Sequence, residues 1–178
     1  MPSPIAHCSL VVVYWTGIKR HSASAGSAGP RWLLCAAVLV ALLAPDGDAV
    51  VGLITGKGVG HYHNGPTHSL FCAPAFGLIF AAVSCRLLRC GFVYLFAVGA
   101  TAYASHIFLD FLSWHRTGVQ LFWPITQARF ASPLPLFLGV RHSVNAPWWI
   151  HGITIATETV FAAGLWVGCY WWRKRRPT

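Results

Sequence analysis

His61-Tyr62-His63-Asn64-Gly65-Pro66-Thr67-His68-Ser69 places three imidazoles within eight residues, just ahead of an apolar run. Glycine and proline interrupt any helix here, so the stretch reads as a polar loop feeding a new helix, with Pro66 suited to the first turn. Two more polar islands stand in equally oily surroundings: Pro45-Asp46-Gly47-Asp48 upstream and Ser105-His106-Ile107-Phe108-Leu109-Asp110 downstream. The fold turns on how the runs between them are read. If those runs are membrane helices of alternating direction, all three islands meet at one face.

Composition supports that reading. Hydrophobic residues make up 56% of the 178-residue chain and charged residues only 10%, where a soluble domain carries ~25% charged. Lipid accounts for runs this apolar, and the length fits one membrane-embedded domain over residues 1–178. The only acids are Asp46, Asp48, Asp110 and Glu158: three lie in the islands and the fourth in the last apolar run. An acid inside a membrane costs roughly 2.5–3.5 kcal/mol on insertion scales, so each is a functional candidate by default. Cys8, Cys35, Cys72, Cys85, Cys90 and Cys169 form no C-x-x-C pair and read as small buried hydrophobes, without a disulfide framework. Met1-Pro2-Ser3-Pro4 offers no basic n-region, so a cleaved signal peptide is not expected. Much of the net charge of +9 sits in Arg173-Lys174-Arg175-Arg176 and in short loop pairs. Nucleic acid is not an expected partner, because that tail is short and lacks interleaved aromatics outside the membrane.

Five apolar segments emerge. Residues 5–18 form the first, followed by Lys19-Arg20-His21 and a Ser/Gly/Ala linker over 22–30. Residues 32–45 form the second. Both are ~14 residues, or ~21 Å as helix, short for a ~30 Å hydrocarbon core. They make a thin or tilted hairpin, or else the second continues past the aspartates through Val50-Val51-Gly52-Leu53-Ile54. Residues 69–85 and 91–114 form the third and fourth, joined at Arg86 and Arg89. A long loop over 115–145 leads to the fifth, residues 147–172, with tryptophans at both ends as interfacial belts have. The expected fold is all-α and integral to the membrane, with about five transmembrane or membrane-embedded helices and a metal site at one membrane face.

Placing the basic tail in the cytoplasm and threading back puts nine positives inside: Arg173, Lys174, Arg175, Arg176, Arg86, Arg89, Lys19, Arg20 and Arg31. Four, Lys57, Arg116, Arg129 and Arg141, fall outside. The positive-inside rule favours this orientation. It also sends His7, Asp46, Asp48 (at the outer end of the second segment), His63, His68, His106 and Asp110 to the outer face.

His106 and Asp110 are four apart in a helical run and so share a helix face. Asp46 and Asp48 can point together from a turn around Gly47. His63 and His68, separated by Gly65-Pro66, need a loop. Imidazole with carboxylate suits zinc, manganese or iron better than calcium. Seven potential ligands (His7, Asp46, Asp48, His63, His68, His106, Asp110) exceed what one tetrahedral zinc takes, so one or two divalent ions are expected. Glu158 is the candidate catalytic carboxylate, as a proton acceptor or a partner behind the ligands; a structural hydrogen bond to another span is its alternative. His21, His115, His142 and His151 read as loop, interface or structural histidines, and His61 as a ligand, a substrate contact or a solvated side chain.

Met1-Pro2-Ser3-Pro4-Ile5-Ala6-His7, Pro45-Asp46-Gly47-Asp48, His63-Asn64-Gly65-Pro66-Thr67-His68-Ser69-Leu70, Ser105-His106-x-x-Leu109-Asp110 and Gly118-Val119-Gln120-Leu121-Phe122-Trp123-Pro124 together resemble a bacterial family of membrane-bound metal-dependent hydrolases. One branch of it is labelled LexA-binding and inner-membrane-associated. The resemblance covers roughly residues 1–125. Its members usually carry Arg where this chain has Asn64, and often His where it has Ala49. It implies a multi-pass protein of the bacterial inner membrane and a hydrolase activity, without a substrate.

The expected function is therefore metal-dependent hydrolysis of a phosphoester or acyl substrate at the outer membrane surface. Membrane lipid and a small-molecule or lipid-linked substrate are the expected partners. The alternative is a metal-binding membrane protein without catalysis: a transporter, sensor or partner-binding subunit. A transporter places polar residues near the bilayer midplane, whereas here they gather at one edge. No residue supports association with a DNA repressor.

Overall fold

A computed structural model describes residues 3–16, 31–114, 117–138 and 147–175. Ser3 caps the first helix, accepting from Ile5 N at 3.2 Å, with Pro4 in the first turn. This apolar helix, α1, covers Pro4–Thr16. Helix α2 spans Arg31–Leu43, a 3-10 turn follows over Ala44–Asp46, and α3 spans Gly47–Ile54. Pro45 cannot donate a backbone hydrogen bond, and the change of helix type absorbs that loss without ending the run. Arg31–Ile54 is consequently one apolar stretch of 24 residues, long enough to cross a bilayer at ~1.5 Å per residue. Asp46 and Asp48 thus lie within a helical run, not in a turn at its end as the Pro-Asp-Gly-Asp chemistry suggests.

Helices α4 (Cys72–Leu88), α5 (Phe92–Phe111) and α6 (Trp148–Lys174) complete the fold. Arg31–Ile54, Phe92–Phe111 and Trp148–Lys174 are long and apolar enough to cross a membrane, while Pro4–Thr16 and Cys72–Leu88 are shorter. The five expected segments are all helical. Among the described residues there is no strand, only the isolated bridges Ser113↔Phe137 and Val119↔Phe130. The 22–30 linker, the Lys19-Arg20-His21 cluster, Arg116, Arg141, Arg176, His115 and His142 lie outside the described residues.

The scaffold is the α4–α5 hairpin, turned by Arg89 in the left-handed region (φ 51°). In a lipid setting, helices gain from close backbone approach, which small residues permit. At Gly77 an added Cβ would lie 2.8 Å from Ala100 Cβ and 2.9 Å from the Phe96 carbonyl oxygen; at Gly99 it would lie 2.7 Å from the Phe80 ring. Leu34, Val38 and Leu42 of α2 pack onto this hairpin with Phe80, Leu88, Leu95 and Val98 as the main core. Helix α6 is attached differently. It packs mainly against α1 and buries only Ile150, Thr154 and Glu158, one stripe at four-residue spacing. Residues 117–138 lace over the end of the bundle, through Leu70 N to Leu121 O (3.0 Å), Gln120 N to Asn64 O (3.2 Å) and Trp114 N to Phe137 O (2.8 Å).

The close approach at Gly77 gives a test. Overpacking a tight core costs typically 1–3 kcal/mol, so Gly77→Ala should lower the thermal stability of the purified protein by about that much. Gly152→Ala, where an added Cβ meets nothing within 4 Å, should not. Equal melting of the two variants would sink the packing role of Gly77.

Candidate metal centre

Four stretches of chain bring six side chains into one buried cluster. His7 comes from α1, Asp46 from the 3-10 turn, His63 and His68 from the polar loop, and His106 and Asp110 from α5. Relative exposure is 0% for His68, His106 and Asp110 and 1% for His7. Asn64 adopts φ 59°, a left-handed conformation that asparagine tolerates, and so turns the chain between His63 and Gly65. A short 3-10 turn, Pro66–His68, then delivers His68 ahead of α4.

Two groups could each hold a metal ion: Asp46, His63, His68 and Asp110; and His7, His106 and Asp110. Asp110 belongs to both. Its Oδ2 lies 3.0 Å from His68 Nε2 and 3.3 Å from His106 Nε2, and its Oδ1 lies 3.5 Å from His7 Nε2. Asp46 Oδ1 lies 3.3 Å from His106 Nε2, 3.6 Å from His68 Nε2 and 3.7 Å from His63 Nδ1. The His7 and His106 rings stack at 3.8 Å between centroids.

The ring tautomers follow from what each nitrogen faces. His106 Nδ1 is 2.6 Å from the Leu42 carbonyl oxygen, which can only accept, so Nδ1 donates. A neutral His106 therefore aims its lone pair from Nε2 at two carboxylates. His68 and His63 are held from behind by Asp48, with His63 Nδ1 3.0 Å from Oδ1 and His68 Nδ1 3.2 Å from Oδ2. Thr67 Oγ1 donates to the same Oδ2 at 2.7 Å, and Tyr103 donates its hydroxyl to the Thr67 carbonyl at 2.6 Å. A backbone carbonyl or carboxylate behind His63, His68 and His106 is the arrangement found behind metal-bound histidines.

The cluster's own chemistry fits a cation. Buried polar groups are ordinarily hydrogen-bonded, yet Nε2 of His7, His63, His68 and His106, and Asp46 Oδ1, are buried with no hydrogen-bond partner. Burial lowers the proton affinity of His68, but the carboxylates of Asp110, Asp46 and Asp48 outweigh it and hold the pKa well above the usual imidazole value. The same negative potential attracts a divalent ion.

Of the sequence candidates, His7, Asp46, His63, His68, His106 and Asp110 meet here. Asp48 stands one layer behind, engaged with His63, His68 and Thr67. Glu158 lies outside both groups, with its carboxylate bound to Ser3 and Ala6. His61 is exposed, edge-on to Tyr62, and His151 is half-buried on α6. Thr67, Tyr103 and the Leu42 carbonyl were not foreseen. Thr67 had a signal, sitting between two histidines and next to one; a backbone carbonyl has none.

No curated protein and no solved structure matches the chain. The profile described as YdjM inner membrane protein matches residues 1–176, and the chain belongs to that inner-membrane family.

Proposed function

We propose that the protein is a membrane-bound metal-dependent hydrolase acting on a phosphoester or acyl substrate, lipid-linked by preference. The observation that carries this reading is the convergence of buried imidazole nitrogens and carboxylate oxygens into two groups, each compact enough to share one ion. Zinc or manganese suits such a donor set. Bound there, a divalent ion supplies Lewis acidity and a water that is nucleophilic near neutral pH.

The chain's residues divide the work. Asp46, His63, His68 and Asp110 offer four donors, enough to close a tetrahedral shell, while His7, His106 and Asp110 offer three, the number that leaves a position open for chemistry. Asp48, a ligand candidate in the sequence, instead fixes the rings of His63 and His68 from behind. The Leu42 carbonyl does the same for His106.

A lipid-linked substrate is favoured by the rim. Ile54 at the end of α3 and Ile125 and Leu134 in the 117–138 segment are 76–80% exposed. Apolar exposure of this kind suits lipid better than water. The inner-membrane site faces outward in this proposal, as the nine-to-four charge split favours.

Three measurements test the proposal. Elemental analysis of the detergent-purified protein should find one or two zinc or manganese per chain, largely lost in a His68→Ala/His106→Ala double variant. Hydrolysis of phosphoester or acyl-ester probes should be lost with it. A wild type that takes up no metal on reconstitution would overturn the hydrolase reading; bound metal without turnover would leave the non-catalytic one. Because imidazoles must be neutral to bind, protons compete with the ion. Metal affinity should fall as the pH is lowered, and the fall should begin above the ordinary imidazole range of about 6.5, because the carboxylates around His68 raise its proton affinity; retention down to carboxylate pH would argue against histidine ligands. Finally, Lys57→Cys at the exposed end of α3 should react with an impermeant thiol reagent in intact cells. Labelling only after lysis would reverse the orientation.

A further inference from the structure

We propose that Glu158 is a positioning residue for the His7 half of the centre, so that a second ion binds only while Glu158 fastens α1 to α6. This rests on the metal reading above. Glu158 is 0% exposed, although it sits in the middle of a helix that is otherwise mostly uncovered. Its Oε1 accepts from Ser3 N at 2.6 Å, and its Oε2 accepts from the Ser3 hydroxyl and from Ala6 N at 3.1 Å. The amides at a helix start have no intrahelical partner, and a carboxylate placed there also complements the positive end of the helix. One side chain on α6 thus supplies the polar anchor for the start of α1, whose Leu10, Val11, Tyr14 and Trp15 pack against the main core farther along.

The next residue along α1 is His7. Its Nε2 faces Asp110 at 3.5 Å while its Nδ1 has no hydrogen-bond partner, so no polar contact behind the ring aims it, unlike His63, His68 and His106. Its place against His106 and Asp110 comes from the backbone of α1. On the α6 side the remaining contact is apolar, Phe161 packing in the cluster of Ala6 and Leu10, and farther along the two helices border a cavity of about 570 Å³ lined by Val13, Thr16, Phe161, Gly164 and Gly168 among others. The four-donor group is built from the α2–α3 run, the polar loop and α5, without α1 or α6. The two halves are therefore separable, and Glu158 governs one of them.

The test is a cobalt(II) titration of the full-length detergent-purified chain, read by visible absorption and by stoichiometry. Wild type should bind two ions. Glu158→Ala and His7→Ala should each bind one, as tightly as wild type binds its tighter ion. Glu158→Gln, which keeps the size and one acceptor oxygen, should weaken only the second ion, by roughly ten-fold or more; it also covers the case in which the alanine variant does not accumulate. Glu158 variants that bind both ions with wild-type affinity, or that lose both, would overturn the role. A wild type with a single ion overturns the division into halves, whereas one that binds no cobalt overturns the metal reading itself.

Discussion

Three carboxylates gathered inside an apolar bundle create a constraint that the rest of the molecule answers. An ion withdrawn from water loses several kcal/mol of solvation unless opposite charge and hydrogen bonds replace it. Here the replacement is a ring of imidazoles: His7, His68 and His106 around Asp110, and His63 and His68 around Asp48. Imidazole is suited to this because it can meet a carboxylate as a cation or share a metal with it as a neutral ligand. Every element that contributes to the cluster arrives at the same end of the bundle, which fixes the alternation of helix directions.

The packing serves that convergence. Gly77 and Gly99 bring α4 and α5 close enough to act as one rigid pair, and α5 then carries His106 and Asp110 one turn apart on its inner face. Helix α2 lies on that pair through Leu34, Val38 and Leu42. Its register matters because the Leu42 carbonyl must meet His106. The 3-10 step at Ala44–Asp46 adjusts the helix there, so that Asp46 faces into the cluster while α3 continues. Hydrogen bonds behind a metal-binding ring fix its tautomer and orientation.

Much of this was legible in the sequence because the signals were compositional and periodic. Four acids in 178 residues left few places for a site, and the i, i+4 spacing of His106 and Asp110 put both on one face. The five apolar runs are helical over the described residues, and the second continues past the aspartates to Ile54, the longer of its two expected forms. Less legible was the helix through Asp46 and Asp48, since Pro-Asp-Gly-Asp is locally turn chemistry. There the pull of a continuous apolar helix overrode local preference. The partner of Glu158 could not be read at all: Ser3 lies 155 residues away, and nothing in an apolar run says which neighbour supplies its donors. Likewise Asp46 and Asp48 look equivalent in sequence, and only the side from which each meets the imidazoles separates them.

The depth of the cluster bears on what reaches it. Asp46 lies eight residues before the end of α3, so this helix runs on for ~12 Å beyond the carboxylate. Along that length Val50, Val51, Leu53 and Ile54 are all exposed. Side chains of this kind call for an apolar surrounding, and the first cationic group beyond them is Lys57, hydrogen-bonded to the Tyr62 hydroxyl at 3.0 Å. A lysine–tyrosine pair following an apolar turn is the arrangement expected at headgroup level, where amphipathic side chains anchor. With Lys57 at that level, Asp46 falls at least two helical turns beneath it. A freely diffusing polar solute would then have to pass an apolar rim to reach the imidazoles. An amphiphile already lying in a membrane reaches such a depth by its own partition, so the apolar rim is consistent with the bilayer-borne ligand of the proposed function.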